Sequence, residues 1–416
     1  MSAPRTGPAA ARVPAPDVAR GLMLWVIAVA NISAWIWAPG PTDGPRDRPL
    51  GAGAGTAAWT ADDVVNTAMS MFVDGRGFPL FSFLVGYGVG QIAAREAARG
   101  TPLPLARGLL LRRYGWLLVV GALHACLLFP GDIITAYAFG GLFLALLIAE
   151  STATLVILAA LGSVLMALYG AASWAVRDPG TAPFPSLVTD SVQEHFALVP
   201  AEGLGVVAYA PLQLLGLLPM LLLGLALSRH RVLEEPGARR GRLLGTAAAC
   251  IGAGLLTGIG TGLLTTDMLE PSTAAGALLT GLDSVTGAAQ GIGYALVVAL
   301  ICERAQRRTQ DGATALRGRE HPALWSLQAL GRRSMSGYLA QSVLFTVLLP
   351  PFALGLGRSL APTAALLLGS AVWLATLLGA VLLERRGLRG PAETVHRRLF
   401  LGAARGRSGP RPPASA

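Results

Sequence analysis

Long apolar segments recur along almost the whole chain, and they constrain its fold more than any other feature. About ten of them reach roughly 20 residues, the length that an α-helix needs to cross the hydrocarbon core of a bilayer. A backbone in lipid must satisfy its own hydrogen bonds, so such segments are expected to be helical. The sequence therefore predicts an all-α, polytopic integral membrane protein with about ten transmembrane helices. The predicted spans are residues 20–39, 64–93, 107–129, 131–150, 152–175, 204–228, 243–264, 274–301, 335–354 and 361–384.

The composition supports this class of protein. Of the 416 residues, 53% are hydrophobic and only 13% are charged, whereas soluble domains carry about 25% charged residues. Ten spans leave little of the chain for a folded domain outside the membrane, which excludes a large catalytic ectodomain. We expect one transmembrane domain over residues 16–400, with disordered tails at 1–15 and 401–416.

The distribution of arginine predicts the orientation. All 33 basic residues are arginine, and the net charge is +10. Their clusters precede the first span and then follow alternate spans, as expected of cytoplasmic loops, while most other connections are acidic. We therefore expect both termini in the cytoplasm of a bacterium and a multi-pass chain in its cytoplasmic (plasma) membrane. The turn at residues 150–152 lacks arginine, so an eight-span arrangement that merges the fourth and fifth spans remains open.

Nucleic acid and metal ions are not expected ligands. The positive charge is explained by topology rather than by a nucleic-acid surface. Cys126, Cys250 and Cys302 lie on separate apolar segments without the CxxC spacing of a metal or redox site.

A few ionisable or amide side chains fall inside the predicted spans, where each costs free energy unless it faces a cavity or a partner. His124 lies eleven residues beyond Arg113, which is about 16 Å along a helix and near the middle of a core roughly 30 Å thick. Asn31, eleven residues past Arg20, and Asp283, nine residues into the eighth span, reach similar depths. These side chains are therefore the first candidates for a functional site.

Each candidate has a functional and a structural interpretation. A neutral imidazole at His124 can take a proton from an attacking hydroxyl, or it can merely join two helices. Asp283 is a candidate partner of that imidazole. The Asn31 amide can donate to an oxyanion or pack between helices. Asp132 follows the turn at Pro130 and either orients a substrate or caps the next helix. Catalysis by His124 further requires a continuous cavity that joins it and Asn31 to the end of the bundle carrying Arg20.

Several segments together resemble the YeiB-like membrane proteins, also called domain of unknown function 418. Residues 17–21 with 28–32 are similar to the family's opening pattern LDxLRG…vN, and residues 78–86 to its LFSlLFG motif. Residues 121–124 with 131–134 are similar to its GllH…GDIL hairpin, residues 331–342 to GRmaLTnYLlQS, and residues 390–397 to GPLEwlwR. The chain departs from the family at Gly337 and at residues 394–396. The resemblance implies a carboxy-terminal family region at about 230–400.

The family's opening pattern resembles that of a wider group of transmembrane acyltransferases, which bind acyl-coenzyme A from the cytoplasm and acylate an acceptor at the opposite face. The resemblance implies a transmembrane acyltransferase with acyl-CoA as its co-substrate. The coenzyme phosphates would be attracted by Arg20, Arg332 and Arg333. His124 would act as general base, Asn31 would stabilise the oxyanion, and Asp132 would place the acceptor.

One departure from this group concerns histidine. The lysosomal glucosamine acetyltransferases of the group carry a His shortly after the opening pattern, and this chain has none between Asn31 and Asp63. In an acyltransferase of this sequence, His124 must take that place.

Two other functions remain open. A proton-coupled transporter or exporter of a small molecule would use His124 and Asp283 as an ionisable pair in a central cavity. A non-catalytic membrane component would use its polar side chains only to lock helices together. The expected partners are the lipid bilayer and a small-molecule acceptor or transported substrate, and the sequence leaves a homodimer open.

Overall fold

The computed structural model describes residues 14–36, 59–175, 184–266, 268–269, 272–308, 320–358 and 360–405. This described part of the chain is helical and contains no β-strand, as the apolar pattern predicts. Its α-helices are, in chain order, α1 Ala15–Asn31, α2 Ala61–Phe72, α3 Gly77–Ala98, α4 Leu103–Leu127, α5 Ile134–Leu147, α6 Thr152–Ala175, α7 Val192–Ser228, α8 Arg240–Thr265, α9 Thr273–Arg308, α10 Pro322–Gly331, α11 Ser334–Leu348, α12 Pro362–Arg385 and α13 Pro391–Arg405.

Within the described residues, eight helical stretches are long and apolar enough to cross a bilayer. They include α1, α2 with α3, α4, α6, α7, α8, α9 and α12. The fourth and ninth predicted spans are shorter, because α5 has 14 residues and α11 has 15. At 1.5 Å per residue these two helices are about 21 to 23 Å long, which is less than a bilayer core. The polytopic all-α class is confirmed, and two of the ten predicted spans are short helices inside the bundle.

The second predicted span is broken, as its polar interruption indicates. Helix α2 ends at Phe72 and α3 begins at Gly77. Gly75 in the turn between them has a φ of 68°, a left-handed conformation that glycine adopts without steric cost. The break turns the N-terminus of α3, and with it Arg76, into the interior of the bundle.

Helix α1 lies at the centre of the bundle and contacts α3, α9, α10, α11 and α12. Its approach to α10 is close enough to require glycine on both helices. A Cβ atom at Gly331 would lie 1.7 Å from the Asp17 carbonyl oxygen, and one at Gly21 would lie 2.1 Å from the Leu327 carbonyl oxygen. Small residues permit such backbone contact between membrane helices. The contact places the turn after α10 beside the first turns of α1.

The ends of the chain are described only in part. Residues 401–405, which fall in the predicted carboxy-terminal tail, continue helix α13. Residues 1–13 and 406–416 of the predicted tails lie outside the described residues. Helix α13 packs against α4 and α11, where it covers one end of the cavity described below.

Candidate functional site

Three buried polar side chains form a hydrogen-bonded chain at the centre of the bundle. His124 on α4 places Nδ1 2.8 Å from Oδ1 of Asp132 and Nε2 3.0 Å from Oγ of Ser342 on α11. All three residues are at most 5% exposed. Asp132 belongs to the turn that joins α4 to α5, so one helical hairpin supplies the acid and the imidazole. The helix that carries Ser342 comes from the other half of the chain.

The hydrogen bonds of Asp132 assign the tautomer of His124. The backbone N–H and the hydroxyl of Thr135 donate to Oδ2 of Asp132 at 2.8 and 2.7 Å. The other oxygen, Oδ1, accepts from the imidazole, so Nδ1 carries the proton in the neutral ring. Nε2 is then an acceptor that faces the Ser342 hydroxyl. This is the arrangement in which an imidazole can remove a hydroxyl proton. Asp132 also fulfils its predicted structural role, since it satisfies an N–H in the first turn of α5.

Aromatic rings surround this chain of polar groups. The Tyr338 ring centroid lies 5.2 Å from that of His124, and the Phe129 centroid lies 6.2 Å away. The Asn31 side chain lies near enough to the Tyr338 hydroxyl to interact with it electrostatically. Asn31 and His124 are therefore both brought beside Tyr338.

Asp283 is not the partner of His124, and that prediction is wrong. Its two carboxylate oxygens accept from the Arg76 guanidinium at 2.7 and 2.9 Å, and one of them also accepts from the Thr257 hydroxyl at 2.7 Å. Arg76 is fully buried and also donates to the Gly254 carbonyl oxygen and to Gln290. The depth predicted for Asp283 is similar to that predicted for His124. Its side chain nevertheless contacts Arg76, at the start of α3, and Thr257 on α8 rather than α4.

A cavity of about 230 Å³ leads from the arginine-rich end of the bundle toward this centre. Arg20, Arg113 and Arg332 line its outer part. Leu24, Ile27, Phe81, Val85, Leu117, Ile133 and Met335 are among the apolar residues that line its inner part. Tyr338 also lines the cavity and lies between it and His124. We call this space the inner cavity.

The inner cavity continues into a wider, more polar cleft of about 620 Å³. Arg113, Arg332, Glu393 and His396 line both spaces. The cleft adds the side chains Arg333, Glu384, Leu388, Arg389, Arg397 and Phe400. Because arginine is the preferred residue for binding phosphate in forked geometry, the cleft suits an anionic group whose apolar extension enters the inner cavity.

The arginines predicted to bind phosphate are not equivalent. Arg20 lies 3.4 Å from Asp17, as the spacing of three residues predicts, and donates to the Leu84 carbonyl oxygen at 3.1 Å. Arg332 and Arg333 both bind Glu384, at 2.7 and 2.6 Å. The Arg333 guanidinium also donates to backbone carbonyl oxygens, and its side chain is only 6% exposed, against 32% for Arg332. Arg332 is therefore the better placed of the two to reach a ligand.

Helix α13 is fastened over the cleft by two polar side chains. Oε1 of Glu393 accepts from the backbone N–H groups of Met335 and Ser336 at 2.9 and 3.1 Å, which caps the N-terminus of α11. His396 donates from Nε2 to the Arg113 carbonyl oxygen at 2.8 Å. Burial lowers the pKa of His396 below its usual value, and the nearby Arg113 charge acts in the same direction. The packing of α13 against α4 therefore favours the neutral form of His396.

A further cavity of about 340 Å³ lies on the other side of the polar chain. Asp132, Ile133 and Phe78 line it, together with Met166, Tyr169, Phe184 and Gln213. We call this space the outer cavity. Ile133 lines both the inner and the outer cavity, and the Tyr137 hydroxyl donates to the Phe78 carbonyl oxygen at 3.1 Å across the wall between them. The wall that separates the two cavities is thus about one side chain thick at this point.

The inner cavity does not supply the continuous space that catalysis by His124 requires. Neither His124 nor Asn31 lines the inner cavity, which ends at Tyr338. The surroundings of His124 are nevertheless aromatic and polar rather than aliphatic. Tyr338 therefore lies between the inner cavity and His124.

Three residues of the site were missed from the sequence. Ser342 is 218 residues away from His124, and a single serine in an apolar helix is an ordinary packing residue. Nothing in the sequence set Tyr338 or Arg113 apart, although Arg113 lies on the helix that carries His124. The motif at residues 331–342 that resembles the family pattern contains Ser342 and Tyr338, so it marked the right segment without assigning either residue a role.

The fold and this site define an all-α, polytopic membrane protein with a buried polar centre between two cavities. Residues 227–403 match the family model described as a protein of unknown function, DUF418, and this stretch contains the segments at 331–342 and 390–397 that resemble the same family. The chain is also 27% identical over 361 residues to the uncharacterized protein YxaH of Bacillus subtilis (strain 168), across 81% of this chain and 82% of that protein. The motif segments between residues 17 and 134 lie outside the matched family region.

Proposed function

We propose that the protein is a transmembrane acyltransferase of the bacterial cytoplasmic membrane, which moves an acyl group from acyl-CoA to an acceptor. The observation that carries the proposal is the inner cavity, which has arginines at its entrance, apolar walls and the His124 imidazole behind its last side chain. A coenzyme A thioester has the matching order of groups, with phosphates at one end and an acyl chain at the other.

The proposal assigns a role to each part of the cavity. The arginine-rich end faces the cytoplasm, where acyl-CoA is found, in agreement with the distribution of positive charge. Arg20, Arg113 and Arg332 bind the phosphates at the entrance. The apolar inner part holds the acyl end and excludes water, which protects a reactive ester from hydrolysis. The acceptor occupies the outer cavity on the far side of the wall.

His124 is the general base in this scheme, and the contacts of Asp132 favour a role in support of the imidazole. The Asp132 carboxylate orients the imidazole and stabilises its protonated form, rather than placing the acceptor. Asn31 lies beside Tyr338, so its amide reaches a developing oxyanion once Tyr338 moves away from the end of the cavity.

Calorimetric titration of the detergent-purified protein with acetyl-CoA tests the first step. We expect saturable heat at concentrations up to the millimolar range, and weaker binding by Arg20→Ala. Arg99→Ala is the matched control, because Arg99 lies near the same end of the bundle on an exposed turn and pairs with Glu96 outside both cavities. Equal affinities of the two variants, or no heat with the wild type, would contradict the proposal.

A second candidate function is a proton-coupled transporter, favoured by the thin wall at Ile133. The inner and outer cavities open on different sides of this wall, so a small rearrangement would exchange access between them. This function predicts movement of a small molecule that depends on a pH gradient in reconstituted vesicles. It requires no coenzyme A, and the calorimetric experiment therefore separates the two candidates.

A further inference from the structure

The hydrogen-bonded chain of Ser342, His124 and Asp132 has the order of a nucleophile, a base and an orienting acid. We propose that Ser342 is the nucleophile of the acyl transfer and carries the acyl group as a covalent ester between the two cavities. This inference rests on the proposed function, since it needs acyl-CoA as the donor. It changes the reaction from direct transfer into two steps through the enzyme.

The contacts of Ser342 fit this role. Its Oγ lies 3.0 Å from Nε2 of His124, and the opposite ring nitrogen lies 2.8 Å from Asp132. Both Asp132 oxygens have donors, so the carboxylate is held rigidly against the imidazole. The competing acceptor for the serine proton is the Tyr338 carbonyl oxygen at 3.4 Å, which is longer than the bond to the imidazole. The geometry therefore directs the hydroxyl proton toward His124.

The position of Ser342 on α11 relates it to the inner cavity. Ser334, Met335 and Tyr338 on α11 all line that cavity. Ser342 follows Tyr338 by four residues and so lies on the same face of the helix, one turn deeper. The inner cavity would extend along this face to Ser342 if the Tyr338 side chain rotated away. Tyr338 is thus the side chain that separates the donor from the nucleophile.

Asp132, at the other end of the hydrogen-bonded chain from Ser342, lies on the acceptor side. Asp132 lines the outer cavity, whereas Tyr338 lines the inner one. The three polar residues therefore lie between the two cavities, with Asp132 at the outer one and Ser342 behind Tyr338. A covalent ester on Ser342 allows the acyl group to be received from one side and released to the other. A direct transfer would instead require both substrates in one continuous space, whereas Ile133 separates the inner cavity from the outer one.

The two steps balance as follows. The Ser342 oxygen attacks the thioester carbonyl carbon while its proton passes to Nε2 of His124. The carbon–sulfur bond then breaks, and the leaving thiolate takes the proton from the imidazolium as coenzyme A. In the second step an acceptor hydroxyl or amine attacks the ester carbon and gives its proton to His124. The Ser342 oxygen leaves, recovers that proton and is ready for another cycle.

Covalent labelling tests the proposal directly. The full-length protein in detergent is incubated with acetyl-, butyryl- or octanoyl-CoA without an acceptor and quenched in acid. Its peptides are then mapped by mass spectrometry. We expect one acyl group on the peptide that contains Ser342, and none in Ser342→Ala. Thr346→Val is the matched control, because it removes a hydroxyl one turn further along α11 and should leave the label unchanged.

A cysteine variant separates a chemical role from a structural one. Ser342→Cys keeps a nucleophile of similar size, so we expect it to accept the acyl group as a thioester that neutral hydroxylamine removes. A residue that only supported the His124 ring would give no such adduct. Release of free coenzyme A, followed with a thiol reagent, should fall on the order of 10³-fold or more in Ser342→Ala.

The outcomes distinguish this inference from the proposed function. If the wild type binds acyl-CoA and releases coenzyme A while Ser342→Ala does so at the same rate and without a label, the serine is not the nucleophile and the transferase proposal stands. If the wild type neither binds any of the three coenzyme A esters nor releases coenzyme A, both proposals are wrong. A label on Ser342 in the wild type supports both.

Discussion

The buried ion pair between Arg76 and Asp283 makes a quantitative prediction about stability. Arg76 is fully buried, and its guanidinium donates to both Asp283 oxygens, to Gln290 and to the Gly254 carbonyl oxygen. Removing one member of such a pair leaves an uncompensated charge in a low-dielectric environment, at a cost of about 3–5 kcal/mol. We therefore expect Arg76→Met to lower the free energy of unfolding by that amount.

The remaining contacts of Asp283 support this magnitude. In Arg76→Met the carboxylate would retain the Thr257 hydroxyl, at 2.7 Å, as a hydrogen-bond donor. One neutral donor does not replace two charged contacts at 2.7 and 2.9 Å. Replacing both partners with apolar side chains removes both charges, and such replacements are often neutral or stabilising by about 1–4 kcal/mol. The double variant with Asp283→Leu should therefore be more stable than Arg76→Met alone.

Unfolding by increasing SDS in mixed micelles, followed by thiol labelling of Cys302, measures these differences. Cys302 is 1% exposed on α9, and its label reports opening of the helix that carries Asp283. Arg307→Met on the same helix is the control, because its pair with Glu303 is on the surface, where the arginine side chain is 71% exposed. Surface pairs contribute about 0–1 kcal/mol. A cost below about 1 kcal/mol for Arg76→Met, or a double variant as unstable as the sum of the single ones, would refute the reasoning.

Three further predictions concern the centre, the cleft and the packing of α1. His124→Ala should reduce acyl transfer by about 10²- to 10⁴-fold, measured as release of coenzyme A, while calorimetry shows unchanged coenzyme binding. Because the pKa of His396 is lowered in the folded protein, the unfolded state binds a proton more readily. The melting temperature should therefore fall as the pH drops below about 6.5. Above that pH, His396 should not affect the pH dependence of the melting temperature. His396→Gln, which keeps a donor for the Arg113 carbonyl, should remove that part of the slope. Gly331→Ala should lower the free energy of unfolding by about 1–3 kcal/mol in the same SDS titration, because its Cβ would meet the Asp17 carbonyl oxygen at 1.7 Å. Gly379→Ala is the control, because a Cβ atom at that position would meet open space.

The sequence predicted those features that depend on local pattern. The lengths of the apolar segments located the helices, and the break between α2 and α3 lies at the polar residues around Gly75. The short turn after α4 predicted that Asp132 lies in the same hairpin as His124. Helical rise placed Asn31 and His124 at one depth, and both contact Tyr338.

The sequence could not predict partners that meet across the bundle. Helical rise gives the depth of a residue in the membrane but not the direction in which its helix faces, so Asp283 was assigned to His124 rather than to Arg76. The same limit hid the contact of Ser342 with His124. It also hid the ion pair between Glu384 and Arg332, which forms because α12 ends beside the turn between α10 and α11.

The structure also bears on which part of the chain forms the site. The matched family region begins at residue 227, yet the inner cavity has Arg20, Phe81 and Arg113 in its walls. Helix α1 contacts α10 and α12, and α2 contacts α8, so the apolar faces of the matched region are covered largely by helices from before it. In a bilayer these faces would tolerate lipid, but the buried Asp283 would lose Arg76, and Ser342 would lose His124. We therefore expect residues 227–403 alone to lack both the cavity and the polar centre, and the functional unit to require the helices from α1 onward.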